Sequence, residues 1–381
     1  MEYDILIVGA GPSGISTALH LAQLAPQLAA RTLVLEKAHH PRPKLCAGGL
    51  VIDAEVILQR LGLDVDEVPH ADAGVAHFDF EGRGLEVRVP HTHALRMVRR
   101  DEFDAWLVQK ARERGIAIQE GVTVTGVAPG PDGVKVITDR GEMYARVVVG
   151  ADGSNGVVRR SILPDSAVHT ARLLEVLTPP PEGASGHKAE GAYFEFACIP
   201  DGIAGYTWDF PTQLKGRPMQ CWGVYDTNLL ADRARPPLGD VLAEEMARHG
   251  YRLDDYELKG HPIRWFDPFS RFAVPGVLLV GDAAGADAIL GEGISIALGY
   301  GRLAAQAIQS AFARGDFSFR DYRPRLRRSP LGRALTARTW LAYLYSRLRW
   351  RWFQRLLWHR LGGLVVAVAW LFVINWARRS R

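Results

Sequence analysis

The chain has 381 residues, 48% hydrophobic and 23% charged; at roughly 100 to 200 residues per domain it holds two lobes and an appendage, and this composition excludes disordered and fibrous classes. Three cysteines without paired spacing, Cys46, Cys198 and Cys221, exclude a disulfide framework and a cysteine-ligated zinc site. The net charge of +4 conceals an asymmetry, because residues 322–381 carry fourteen arginines and no Asp or Glu, which leaves −10 on residues 1–321.

No basic stretch precedes an apolar run at the N-terminus, so no cleavable signal peptide is expected. Residues 3–8 predict a buried strand, Ile15 to Ala25 a helix, and Thr32 to Leu35 a second strand closing on Glu36, which together make a βαβ opening. Arg100 to Arg114 predicts a helix, with Phe103, Trp106, Leu107 and Ala111 at three and four spacing. Strands follow at Val122 to Val127, Val134 to Thr138 and Val147 to Val149. Residues 166–270 change character: aromatic stretches around Tyr193 to Ala197, Tyr206 to Phe210 and Met219 to Val224 predict an antiparallel sheet. A buried strand returns at Val277 to Val280, then a long helix at Ile294 to Ala313. The fold class is therefore α/β. A Rossmann-like domain discontinuous over residues 1–75, 96–165 and 271–320 carries an inserted antiparallel-sheet domain, residues 76–95 and 166–270, and a helical, hydrophobic C-terminal tail, residues 321–381.

Gly9-Ala10-Gly11-Pro12-Ser13-Gly14 matches G-x-G-x-x-G between a strand and a helix, with Glu36 about twenty residues on. Gly9 allows the tight turn, Gly11 lets backbone approach a pyrophosphate, and Gly14 permits close helix packing. Glu36 is placed to accept from a ribose hydroxyl, and the helix N-terminus, with Ser13 in its first turn, favours phosphate charge. Further on, Gly150-Ala151-Asp152-Gly153 and Gly281-Asp282 each follow a strand, and Arg100 precedes Asp101-Glu102-Phe103-Asp104. In this order the motifs resemble the fingerprints of the flavoprotein family that includes aromatic hydroxylases, flavin halogenases and geranylgeranyl reductases.

That resemblance implies FAD, with Arg100, Asp152 and Gly153 in its site, Gly281 and Asp282 on the ribityl chain, and Gly291, Gly293 and Ile294 beside the isoalloxazine. Three further segments narrow it: Pro43-Lys44-Leu45-Cys46-Ala47-Gly48-Gly49, the box Tyr206-Thr207-Trp208-Asp209-Phe210-Pro211, and Gly291-Glu292-Gly293-Ile294. They look like the landmarks of the geranylgeranyl reductase family over roughly residues 1–310, with Cys46, Ala47 and Gly48 beside the flavin; Ala47 departs from the family's usual Cys-Gly pattern. Members with known activity reduce isolated double bonds of isoprenoid chains, so the resemblance implies such a lipid as substrate. NAD(P)H and a ferredoxin-like redox partner both stand as electron donor.

Tyr206, Trp208 and Phe210, at alternate positions of one strand, project to one face and form an apolar wall that suits a hydrocarbon chain or packs a core, and Pro211 is expected to end the strand. Candidate proton donors are Cys46 and the Tyr206 hydroxyl. His39-His40-Pro41 reads as a solvated turn, and no metal-ligand spacing or nucleophile elbow appears.

The tail holds six of the ten tryptophans, and indoles beside arginines suit a lipid headgroup boundary. Leu361 to Ala377, uncharged, predicts a monotopic or weakly spanning anchor; a basic helical hairpin packed on the acidic body is the other reading. A peripheral or monotopic location on the cytoplasmic face of a membrane is expected, without nucleic acid as a partner. Rival functions are an oxygen-using flavoenzyme, either hydroxylase or halogenase, whose family carries a similar aromatic box, and a flavoprotein maturation factor that acts on another protein.

Overall fold

In a computed structural model, the structure describes residues 3–89, 91–165, 169–180, 191–230 and 234–379. Among them the strands form four sheets. The first is parallel at its centre: Ala117–Glu120, Thr32–Glu36, Ile5–Val8, Val147–Gly150 and Val277–Leu279 lie side by side, with Ala273–Val274 antiparallel at the edge. Ile5, Leu6, Ile7 and Val147 to Val149 are wholly buried, as required of strands covered on both faces. An antiparallel meander of Val124–Gly130, Gly133–Thr138 and Gly141–Ala145 stands beside it.

The helices Pro12–Leu24 and Ile294–Arg314 cover this sheet and pack tightly on each other. Their approach is close because small residues face one another: Ser16 Oγ donates to Leu298 O at 2.7 Å, and a methyl group on Gly301 would sit 2.3 Å from that same Oγ. His20 is sealed into the same helix, its Nδ1 donating to Ser16 O at 2.8 Å.

The aromatic region forms a larger sheet ordered Lys259–Arg264, Thr170–Thr178, Arg217–Asp226, Gly205–Leu214, Gly191–Glu195, Val75–Phe80 and Arg83–Val87. It differs from the expected antiparallel sheet at one place, since Gly191–Glu195 runs parallel to Val75–Phe80. The chain leaves the sheet after Val87 and returns only at Thr170, and such a long crossover lets the two segments meet in parallel. Trp222, Val224, Leu242 and Met246 pack one face against the helix Leu238–Arg248, and the aromatic box lies on the other. Part of the expected 166–270 region, residues 166–168, 181–190 and 231–233, lies outside the described residues.

Pro211 does not end the box strand, which continues to Leu214. Beyond Asp209 that strand has no pairing on the side of Gly191–Glu195 among the described residues, so the missing N–H breaks no ladder described there.

The tail also departs from a simple anchor. It forms the helices Tyr322–Arg328, Pro330–Arg347, Arg351–His359 and Gly362–Phe372, and among the described residues no helix is long and apolar enough to cross a membrane. Much of it packs on the body. Leu331, Leu335, Trp376 and Ala377 join the core of the parallel sheet, and Trp358 joins that of the aromatic sheet, stacked on Phe196 at 4.4 Å. Asp53 accepts from Asn375 N and Ala377 N, each at 2.8 Å, which breaks up the stretch from Leu361 to Ala377. Arg351 and Arg355 pair with Glu81, so tail cations do meet body carboxylates.

Burial lowers His20 from 6.5 to about 4. The folded chain thus holds the ring neutral while the unfolded chain protonates it near 6.5, so this contribution is complete above about 6.5 and is lost as pH falls through about 4. Chemical denaturation of His20→Gln should show a shallower loss of stability than the parent over that window.

Candidate functional site

The Gly9 to Gly14 turn, the Gly150-Ala151-Asp152 corner and the N-terminus of Ile294–Arg314 converge where the parallel strands end. Gly9 N donates to Leu35 O at 2.8 Å, and a methyl group on Gly14 would lie 2.0 Å from Gly9 O, so only glycine lets the helix begin there. Gly11 is the N-cap of Pro12–Leu24 and has no side chain with which to cap it, which leaves the first-turn N–H groups to another acceptor. Glu36 is buried, with Ala10 N donating to Oε2 at 2.9 Å and Ala38 N to Oε1 at 3.1 Å. Its carboxylate is thereby aimed at the turn.

Asp152 caps the short helix Val157–Ile162 by accepting from Val158 N at 2.9 Å, while its buried Oδ1 has no hydrogen-bond partner among the described residues. Gly156 N donates to Gly153 O at 3.0 Å, closing the corner. Gly281 lies against Ser13, and Asp282 Oδ2 accepts from Ser154 Oγ at 3.3 Å. Gly293 begins the long helix without a side-chain cap and faces Asp282. Ile294 follows, buried.

Arg100 donates to Asp104 through two bonds, 2.8 and 3.0 Å, and Arg42 bridges Asp104 at 3.3 Å to Glu36 at 3.6 Å. Arg42, in no motif, was missed by sequence reasoning; its place directly before the Pro43 to Gly49 segment was the available signal. Cys46 is half-buried, and Gly48 N donates to its sulfur at 3.4 Å. Arg100 and Lys44 lie close enough to Cys46 to interact with it electrostatically. Lys44 Nζ donates to His261 Nε2 at 2.7 Å. Burial and the adjoining Lys44 push His261 down to about 4, and burial pushes Lys44 down while Asp282 opposes it. Neither Lys44 nor His261 was foreseen.

The aromatic box reaches this site through its tyrosines. Tyr206 Oη donates to Leu290 O, and Tyr225 Oη donates to Ala288 O at 3.1 Å, so both hydroxyls hold the loop that leads into Gly291. Burial raises both phenols well above their ordinary range, which keeps them neutral donors. Gly291, at φ +67°, presses on the Tyr225 ring, where a methyl group would come within 2.7 Å. Tyr206, Trp208 and Phe210 share one face with neighbouring rings about 6 Å apart, and Phe194 fills the gap beside them. Ala47 packs against the same cluster. The wall is closed in this structure: Trp208 and Phe210 are buried, and Trp358 from the tail lies over Phe196 and Phe78.

Arg338, also unforeseen, braces the loop from behind. It is 1% exposed and pairs with Asp287 at 3.2 Å and Glu292 at 2.7 Å. Its other nitrogen donates to Val373 O.

A family model described as an FAD binding domain matches residues 2–198, more than half of the chain. The chain belongs to the FAD-binding domain family. An uncapped helix end, a fixed carboxylate and the unpartnered Asp152 Oδ1 all fit a dinucleotide, so the cradle suits the cofactor that the family implies. The flavoprotein is an FAD-dependent oxidoreductase with relatives of the geranylgeranyl reductase type. It is 29% identical to digeranylgeranylglycerophospholipid reductase 1 of Methanopyrus kandleri over 344 residues, covering 84% of this chain and 83% of the relative. Its fold is shared with a geranylgeranyl bacteriochlorophyll reductase-like protein of Thermoplasma acidophilum, at a TM-score of 0.79 and 21% identity, over 99% and 98% of the two chains. The halogenase PltM shares it too, at 0.70 and 15% identity, over 97% and 82%.

Gly14→Ala should cost about 1–3 kcal/mol by overpacking and yield protein purified without flavin, read from its visible absorbance. Arg338→Met leaves the buried Asp287 and the half-buried Glu292 without their cation, so thermal unfolding should show a loss of about 3–5 kcal/mol together with lower flavin content.

Proposed function

We propose that the flavoprotein saturates isolated carbon–carbon double bonds of an isoprenoid lipid at the cytoplasmic face of a membrane. One observation carries the reading: Tyr206 ties the aromatic wall to the loop entering Gly291, so an apolar surface adjoins the place where the cofactor motifs meet. A curated relative named as a digeranylgeranylglycerophospholipid reductase, aligned over 84% of this chain, supports the substrate class.

When bound and reduced by an electron donor, the FAD would supply the hydride for one alkene carbon and return to its oxidised form. The chain's own residues do the rest. Cys46 gives its thiol proton to the other carbon, and Lys44, whose ammonium is made more acidic by burial, restores it. His261, neutral at physiological pH, accepts from Lys44 Nζ and keeps it directed. An isolated alkene offers little charge to stabilise, so orientation along the wall and exclusion of water supply most of the acceleration. Tyr206 then serves as wall and as loop support, since its hydroxyl is engaged with Leu290 O. The isoprenoid passes between the box and the tail helices, which requires Trp358 to give way.

Chemically reduced, FAD-loaded protein is to be mixed anaerobically with a geranylgeranyl-bearing lipid in detergent. Flavin reoxidation with the mass of one added H2 in the lipid is the expected result, and Cys46→Ala should slow it about 100-fold while retaining flavin. A flavin that stays reduced until oxygen is admitted, with a hydroxylated or halogenated product, overturns the reading in favour of an oxygenase.

A further inference from the structure

The reduction of an isoprenoid makes no use of the outer side of the tail. There, between the helices Tyr322–Arg328 and Pro330–Arg347 and the end of the chain, lies a cavity of about 970 Å³. Among the described residues its lining includes six arginines and no carboxylate. The carboxylate at the start of this segment, Asp321, is taken by Arg314 and Arg325, and from Tyr322 onward the sequence contains no other. No described carboxylate pairs with Arg323, Arg327 or Arg333. Cations gathered in one concave surface without counter-charge create a strong positive potential, and the chemistry that answers it is a phosphate-like anion.

An apolar surface adjoins the arginines. Trp340 and Leu371, both 56% exposed, line the same cavity, and Leu371 belongs to Gly362–Phe372, a helix without a charged residue. That helix leaves Leu364 and Trp370 open to solvent as well. Arg379 donates to the carbonyls of Leu371 and Trp370 at 2.7 and 2.9 Å, so cation and apolar helix are one unit. Eleven residues reach roughly 17 Å, about half of a hydrocarbon core, so the helix suits the interface plane. A water-exposed apolar patch of this kind beside unpaired arginines matches a lipid surface better than a nucleic acid or an acidic protein, neither of which answers the leucines.

We propose that this cavity is a headgroup site for an anionic phospholipid, its arginines taking the lipid phosphate while Trp340, Leu364, Trp370 and Leu371 enter the acyl boundary. The inference rests on the membrane placement proposed above, not on the reaction.

The test uses the full-length, FAD-loaded protein floated with vesicles of phosphatidylcholine, alone or mixed with phosphatidylglycerol. Binding is expected to the mixed vesicles and to weaken as salt rises. Replacing the three arginines together (Arg323→Gln, Arg327→Gln, Arg333→Gln) should weaken it on the order of 100-fold. A control triple removing exposed arginines elsewhere (Arg83→Gln, Arg217→Gln, Arg252→Gln) should bind as the parent does. Leu364→Ser with Trp370→Ser should reduce what binding remains at high salt. Flavin content and unfolding midpoint report folding for each variant. Equal weakening by both triples means that net charge alone attracts the vesicles, and overturns the site; so does binding unchanged by the first triple, or no flotation of the parent. Inorganic phosphate that occupies the cavity in calorimetry as tightly as the vesicles bind shows a free-anion site and overturns the membrane assignment. Lipid reduction in detergent, measured on the same variants, should be unchanged, so failure of this inference and failure of the reductase reading are read separately.

Discussion

A single buried guanidinium, that of Arg338, joins the loop before the long helix to the end of the tail. It stands between Asp287 and Glu292 and reaches Val373 O, with 1% of its surface exposed. A charge removed from water must be met by opposite charge and acceptors, so the loop before the long helix and the end of the tail cannot move independently. That loop carries Gly291 and Gly293 and is held from its other side by Tyr206 and Tyr225. The cofactor cradle, the aromatic wall and the tail therefore form one mechanical unit.

The tail consequently has two chemistries on two sides. Its inner side behaves as core: Leu331, Leu335 and Trp376 pack under the parallel sheet, and Trp358 stacks on the aromatic one. Its outer side leaves Trp340, Trp350, Trp352 and Trp370 in contact with solvent. The arginines divide likewise, with Arg338, Arg351 and Arg355 answering carboxylates of the body while those of the outer cavity answer none among the described residues. Composition had suggested both a membrane surface and a basic hairpin on an acidic body. The inner side fits the hairpin, and the outer side is what remains available to a lipid.

Where the two larger sheets approach, several polar groups are engaged with one another or with backbone. Gly48 O accepts from Val98 N, Arg100 is locked on Asp104, and Lys44 is joined to His261. Tyrosines there donate to backbone carbonyls and stay neutral.

Local sequence determined the elements governed by periodicity and by glycine sterics. The βαβ opening, the Arg100 helix, the paired aromatic strands and the long helix after Gly293 could be read because burial on two faces or one imposes a repeat of apolar residues, and because Gly9 and Gly14 stand where a side chain cannot. Cofactor class was legible for the same reason: a dinucleotide is held largely by backbone, and backbone leaves its mark as glycine spacing. Arg42, Lys44, His261 and Arg338 carry no such mark, since each has a partner far away in the chain, and an arginine destined for burial reads the same as one destined for solvent. Pro211 lies past the point where, among the described residues, the pairing with Gly191–Glu195 ends, and a missing N–H is tolerated there; only sheet pairing sets that point. Which tryptophans face inward, whether the box is open or covered, and which arginines stay unpaired were decided by tertiary packing alone, because a side chain's burial and counter-charge belong to the neighbours that folding supplies.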